Sequence, residues 1–253
     1  MSYTATVAEE RQREHFDAMA DHYEAHYSDP LSQRYRNEFI DAPMLDGIDL
    51  QGKRVLEAMC GSGQTTAFLK ARGAEVVGLD ISENSIASFR RNWPECEAVQ
   101  ASLLSTGLET GSFDCIVVTG GLHHLHPNMH EGIAEAARLL KPGGTLCCFE
   151  PHTGSIANLF RKIWYRLDPI FEDNEHAIDL DEIGRRHAAQ FAYTKIHYFG
   201  NVALMLVLNS MVLRIPLALK RIYAPFVMAI ERALSIFHSR RFSCVVVFQL
   251  RKK

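Results

Sequence analysis

Between residues 54 and 149, short apolar runs alternate with stretches whose apolar residues recur every three or four positions, the pattern of buried strands separated by amphipathic helices. Strands are expected near 54–58, 75–79, 97–100, 114–118 and 144–149, and helices near 64–72, 83–91 and 128–140. Strands joined through helices need right-handed crossovers, so the sheet they build is parallel. Ser82 reads as an N-cap and Gly73 as the residue that ends the first crossover helix. Ahead of this unit, Phe16, Met19, Ala20, Tyr23 and Tyr27 form a helical stripe within residues 8–27, ended by Asp29-Pro30. Behind it, a sixth strand fits Tyr193 to Tyr198 and a seventh, rich in β-branched residues, fits Ser243 to Leu250.

The first strand runs into a glycine turn, Val55-Leu56-Glu57-Ala58-Met59-Cys60-Gly61-Ser62-Gly63-Gln64-Thr65-Thr66, and the second, Val76-Val77-Gly78-Leu79-Asp80, ends in an acid. Glycines at 61 and 63 let the backbone turn tightly and approach a ligand, and the first amides of the following helix are unpaired donors suited to an anionic group. A carboxylate at the end of the next strand is placed to accept hydrogen bonds from both hydroxyls of a ribose. A nicotinamide reader prefers a third glycine where Thr66 stands, and no Tyr-x-x-x-Lys pair follows the fourth strand. An oxidoreductase of that kind is therefore disfavoured.

This run resembles the first motif of class I S-adenosylmethionine-dependent methyltransferases, with Glu57 on the acidic position. Three further matches follow in order. Gly111-Ser112-Phe113-Asp114-Cys115-Ile116-Val117-Val118 looks like the family's fourth strand, Leu122-His123-His124-Leu125 like the segment after it, and Arg138-Leu139-Leu140-Lys141-Pro142-Gly143-Gly144-Thr145-Leu146 like the turn into the fifth. The resemblance covers roughly the first three fifths of the chain and is nearest to small-molecule enzymes of the ubiquinone/menaquinone-biosynthesis type. It implies an α/β, doubly wound, seven-stranded Rossmann-like sheet of order 3-2-1-4-5-7-6, with strand 7 antiparallel and with helical cap insertions. It implies S-adenosyl-L-methionine as cofactor, held by Glu57, Gly61, Gly63, Asp80 and Ile81, with Ser102 and Leu103 flanking the adenine and Gly120 letting the acceptor approach the methyl group. Tyr23 and Tyr27 either close over the cofactor or simply pack. Two positions depart from the pattern: Met59 stands where a glycine is common, which is compatible if it keeps ordinary strand or bridge angles, and Ser102 stands where many relatives carry an Asp.

The resulting organisation is a lid helix over 1–30, a cofactor-binding core over 31–150, a helical cap segment over 151–192, and strands 6 and 7 over 193–253 with an apolar helical insertion at 199–242. In a parallel sheet ligands bind outside the carboxyl ends of the strands. Both insertions leave from that edge, so both are expected to roof the site. Residues 202–213 are nearly all apolar, yet too short and interrupted to span a bilayer, which needs about 20 apolar residues. Three readings stand: a buried substrate cap, a homodimer face, or a peripheral membrane anchor flanked by Lys220, Arg221, Arg240 and Arg241.

Composition narrows the setting. At 253 residues, 47% hydrophobic and 23% charged, the chain suits one α/β domain with a modest additional region. From Lys195 to the end, ten basic residues stand against one acid, Glu231, on a chain of net charge −3. That asymmetry points to an anionic contact, or to neutralisation between the two halves. Six cysteines fall mostly in or beside predicted strands, with Cys147 and Cys148 on opposite faces, which suits reduced thiols. Met1 to Arg13 lacks an apolar core segment, so no signal peptide is expected and a cytoplasmic location follows, with the membrane-peripheral alternative open.

Methyl transfer is an in-line displacement at an already activated carbon, so the chain must align the acceptor and, for a hydroxyl, remove its proton. His123 and His124 follow strand four, His152 follows strand five, and His176 lies in the first cap segment. His124 or His152 ranks first as the base and His176 next, each against an ordinary structural role. The run His123, His124, His126 and His130 lacks cysteine or a regular carboxylate partner, so no metal is expected. Nucleic acid is not expected either, because the basic C-terminal residues are interleaved with aliphatic rather than aromatic ones. The function expected is O-methylation of a small or lipid-like acceptor. The alternatives are a catalytically silent scaffold of the same fold and a membrane-docking protein.

Overall fold

The computed structural model describes residues 13, 14, 17, 27–158, 161, 176–210, 213 and 215–253. The seven strands are β1 (Arg54–Ala58), β2 (Glu75–Asp80), β3 (Glu97–Gln100), β4 (Phe113–Thr119), β5 (Leu140–Pro151), β6 (Phe191–Phe199) and β7 (Val245–Lys252), in the order β3-β2-β1-β4-β5-β7-β6. The first five are mutually parallel, and β7 runs antiparallel between β5 and β6. The order that the family resemblance implies is therefore the order observed.

Helices lie on both faces: α1 (Pro30–Tyr35), α2 (Thr66–Lys70), α3 (Glu83–Asn92), α4 (Met129–Leu139), α5 (Leu180–Arg186), α6 (Val202–Leu206) and α7 (Leu217–Leu234). The period-2 alternation of each strand sorts its side chains between two cores. Val55, Val117, Cys147, Phe149 and Val247 join one core with Tyr35, Phe39, Ile86 and Phe89. Leu56, Ile116, Val118, Cys148 and Phe248 join the other with Ile133, Ala136, Leu180 and Ile183. Cys147 and Cys148 thus occupy opposite faces, and all six cysteines are free thiols. Ser82 caps α3, its hydroxyl accepting from the Ser85 amide at 3.0 Å.

Asp29-Pro30 does more than end the preceding stripe. Asp29 Oδ1 accepts from the Leu31 and Ser32 amides, and Pro30 takes the first helical position, where a missing N–H costs nothing. The pair therefore opens α1, which continues through a π-helical turn (Arg36–Asp41) and Ala42–Met44. Tyr27 reaches Asn209 in the C-terminal insertion at 3.5 Å.

The described parts of the two insertions pack against the sheet. Within 151–192, α5 packs under the sheet through Leu180 and Ile183 as the crossover into β6. Within 199–242, α6 and α7 fold back on each other: buried Glu231 accepts from the Asn201 and Ala203 amides at 2.8 and 2.9 Å, capping α6 from α7. Ala203, Leu204, Ala224, Val227 and Met228 then extend the first core past Phe199. Lys220, fully buried, donates to Asp29 and Ser32 at 2.6 Å and ties α7 to the start of α1. Burial alone would raise Asp29, but the hydrogen bonds from Lys220 and Ser32 bring its carboxyl below the ordinary value.

Candidate active site

The carboxyl ends of β1, β2, β4 and β5 meet at one edge. At the exit of β1, Gly61 has φ +54° and a Cβ there would meet nothing within 4 Å, so its backbone faces open space. Gly120, at the exit of β4, shares both properties, with φ +69°. Gly63 differs: a Cβ on it would run into Trp93 at 2.4 Å, so this glycine serves the packing of the loop. Asp80 Oδ2 accepts from the Gly61 amide and Oδ1 from the Ser82 amide, both at 2.9 Å. A carboxylate has about four acceptor positions, so two remain for hydroxyls of a ligand. Burial raises the Asp80 carboxyl above its ordinary value, with the amides opposing and nearby Asp17 adding to the rise. Ile81 follows, half-buried.

Asp17 is a contributor the sequence did not reveal. It accepts from the Ser82 hydroxyl and from the Asn84 amide (3.3 Å), which places Asp17 itself beside Asp80. Tyr23 lies outside the described residues.

Glu57 is 2% exposed, and its two oxygens accept from the Thr65 amide at 2.9 Å and the Thr66 hydroxyl at 2.5 Å. It holds the exit of the glycine loop from beneath. Burial pushes its carboxyl up to about 7, against those hydrogen bonds and the charge of Arg36. Arg36, from the π-helical turn, is a second residue the sequence did not flag. Buried, it donates to the Thr65 hydroxyl at 3.0 Å and the Thr119 hydroxyl at 3.3 Å, so it spans the exits of β1 and β4. Its Nε has no hydrogen-bond acceptor among the described residues. A π-helical turn in the sequence would have been the signal, but nothing local distinguishes one from an ordinary helix.

Met59 corrects an expectation. It takes φ +56°, the left-handed region, rather than strand or bridge angles. Its thioether crosses to the exit of β4, where a Cβ on Gly121 would lie 2.6 Å from Sδ. Ser102 is buried, with its hydroxyl accepting from the Leu104 amide at 3.1 Å. Leu103, 2% exposed, points into the core with Leu125 and Met129 rather than along the edge.

On the β4/β5 side the histidines separate clearly. Glu150, fully buried at the end of β5, accepts from the amides of Gly121, Leu122 and His123 at 2.9, 2.7 and 3.3 Å, and from His123 Nδ1 at 2.7 Å. The three amides favour the carboxylate, but burial outweighs them and pushes Glu150 up to about 8; with Nδ1 protonated toward Glu150, Nε2 of His123 is the lone-pair nitrogen. Burial holds the imidazole neutral, its pKa below the ordinary value, and raises that of Glu150. His124 lies against His123 with ring centroids 4.0 Å apart and the ring planes tilted by 35°. His152 is differently employed: Nε2 meets the Ser243 carbonyl at 3.1 Å and Nδ1 the Gly154 amide at 3.2 Å, so both nitrogens are engaged by backbone. His176 is exposed, its amide meeting the His123 carbonyl at 3.4 Å and its ring 5.6 Å from that of His126. Among the described residues, no group of three or more His, Cys, Asp or Glu side chains is arranged to hold a metal ion.

Residues 55–144 match the methyltransferase domain family, the stretch that carries the glycine loop, Asp80 and the β4 exit. The chain carries a class I S-adenosylmethionine-dependent methyltransferase domain. A Synechocystis protein described as an uncharacterized methyltransferase is 34% identical over 105 residues, 41% of this chain and 50% of that protein. The demethylmenaquinone methyltransferase of Lactococcus lactis is 30% identical over 152 residues, 57% of this chain and 60% of that one. The chain thus spans about half the length of the curated relatives it matches. Among solved structures, the magnesium protoporphyrin IX methyltransferase of Synechocystis with bound SAH shares the fold, with TM-score 0.65 and 16% identity over 97% of this chain and 100% of that one. The methyltransferase domain accounts for the glycine loop and β4 exit, while the pieces that Arg36 and Glu150 contribute lie outside the matched stretch.

Proposed function

We propose that this chain methylates a small or amphipathic acceptor at oxygen, with His123 as general base and Glu150 as the group that orients it. The observation that carries this is the buried His123–Glu150 pair at 2.7 Å, set where β4 and β5 exit beside the glycine loop. S-adenosylmethionine supplies an electrophilic methyl carbon on a positively charged sulfur, with a neutral thioether as leaving group. Asp80 is fitted to the ribose hydroxyls and Gly61 to a close backbone approach, with Ile81 and Ser102 alongside. Arg36 is fitted to a carboxylate by its buried, forked donors. Glu57 supports the loop through Thr65 and Thr66. His123 Nε2 takes the acceptor's hydroxyl proton, and Glu150 stabilises the imidazolium that forms. Six free thiols favour a reducing, cytoplasmic setting. An acceptor with an apolar portion accords with the apolar insertion beside this edge and with a relative named for demethylmenaquinone.

A catalytically silent scaffold is the second reading, favoured by Met59 in left-handed backbone at a position where the resembled motif commonly carries glycine. Calorimetric titration with S-adenosylmethionine and with S-adenosylhomocysteine separates the two. Micromolar binding is expected; no heat from folded protein with either ligand refutes the enzyme reading.

A further inference from the structure

Helix α7 is apolar on two opposite sides, and only one is covered. Ala224, Val227 and Met228 face inward to the core shared with Phe149 and Phe199. Leu219, Ile222 and Phe226, spaced three and four apart, face outward at 51%, 78% and 70% exposure, and the stripe continues into Ile236 (80%) and Phe237 (63%). Phe242 adds 62%. Of the nine large apolar side chains exposed among the described residues, seven lie between 202 and 242, and an eighth, Ile156, donates its amide to the Arg241 carbonyl at 3.0 Å. A second, solvent-facing apolar stripe on a helix calls for an apolar partner, because water around an apolar face is unfavourable. This one lies at the surface.

Charge selects the occupant. The one acid in 199–242, Glu231, is buried under α6. Glu38 and Asp181, which reach the segment from elsewhere, are engaged by Arg232 and Arg240. Arg221 and Arg241 are exposed and have no carboxylate partner among the described residues. In a twofold self-pairing this patch would meet its own copy, with no unpaired acid among its described residues to oppose those arginines. An anionic bilayer supplies both an apolar interior and negative headgroups. No described helix is long and apolar enough to cross a membrane, so the helix would lie in the interface plane.

We propose that the outward face of α7 and the turn after it, bearing Ile222, Phe226 and Phe237 beside Arg221 and Arg241, docks on an anionic lipid surface. The insertion leaves and rejoins the sheet beside His152, the Cys244 amide bonding the Gly200 carbonyl at 2.9 Å, so docking sets the carboxyl edge close to the lipid. The proposal stands on this surface and not on methyl transfer, so cofactor titration and lipid binding fail independently.

The test is co-sedimentation of the full chain with phosphatidylcholine vesicles, with and without phosphatidylglycerol. Binding to the anionic vesicles is expected, reduced at least about tenfold in the double variant Ile222→Asp, Phe226→Asp, and weakened by salt and by Arg221→Ser with Arg241→Ser. Both apolar positions face solvent, and an unchanged melting temperature in the double variant confirms an intact fold. The proposal is overturned if the unaltered chain binds neither vesicle, if the aspartates leave binding unchanged, or if the chain is a dimer in solution that the aspartates dissociate without any lipid binding.

Discussion

The two halves of the carboxyl edge are built by different means. At the exits of β1 and β2, the groups proposed to meet the cofactor are loop backbone and one carboxylate, close in sequence and placed by left-handed glycines and a helix cap. At the exits of β4 and β5, the imidazole proposed as base is held by a side chain 27 residues away, and both partners are buried. The first half is suited to holding a cofactor whatever the acceptor is. The second half holds the proposed proton acceptor, and it depends on the register of two neighbouring strands. Affinity should therefore reside in one half and rate in the other.

The sharpest test of that division is His123→Gln, expected to lower kcat by about 10²–10⁴-fold while leaving S-adenosylhomocysteine affinity within a few-fold. A variant that loses both in proportion would show the halves to be one unit. Asp80→Ala should do the converse, weakening cofactor binding about 100-fold by removing charge-assisted hydrogen bonds, as read by calorimetry. Unchanged affinity would remove the ribose assignment.

Stability against pH probes the loop support. Glu57 binds its proton more tightly folded (about 7) than unfolded (4.5), so its contribution is complete below pH 4.5 and is lost as pH rises through about 7. Denaturant titrations across that window should show a decline of about 3 kcal/mol that Glu57→Gln largely removes. A flat wild-type profile would mean the carboxylate is better compensated by Arg36 than its burial implies.

The smallest effect sits at the seam. Gly121→Ala places a methyl 2.6 Å from Met59 Sδ and 2.9 Å from Val118 Cγ1, and should cost about 1–2 kcal/mol. Part of that should return in a Met59→Gly background, as a double-mutant cycle. Strict additivity would show that Met59 does not couple the two halves.

Much of the core was legible because its signals are local. Strands at 54–58, 75–80 and 97–100 fall where alternation and turn residues put them, and Ser82 caps α3 as its position foretold. Asp29-Pro30 was read as a stop, although the same dipeptide also supplies an N-cap and first helical residue. Met59 was read as compatible with the motif if it kept ordinary angles, since single-residue preference disfavours a left-handed methionine; the loop around it imposes φ +56°. Among the histidines, chain position ranked His124 and His152 ahead of His123, because each merely follows a strand; only the neighbours show that His152 is engaged by backbone and His123 by a carboxylate.

By itself the sequence determined the alternation of strands and helices, the glycine loop and the acid at the end of β2. Those rest on period, φ preference and capping, which act within a few residues. The tertiary structure alone decided that Arg36 bridges Thr65 and Thr119, that Glu150 holds His123, and that buried Lys220 meets Asp29 across 191 residues. It also decided which side of α7 faces water. Such pairings depend on strand register and on how packed helices are rotated, and both are set only when the whole apolar surface is buried at once.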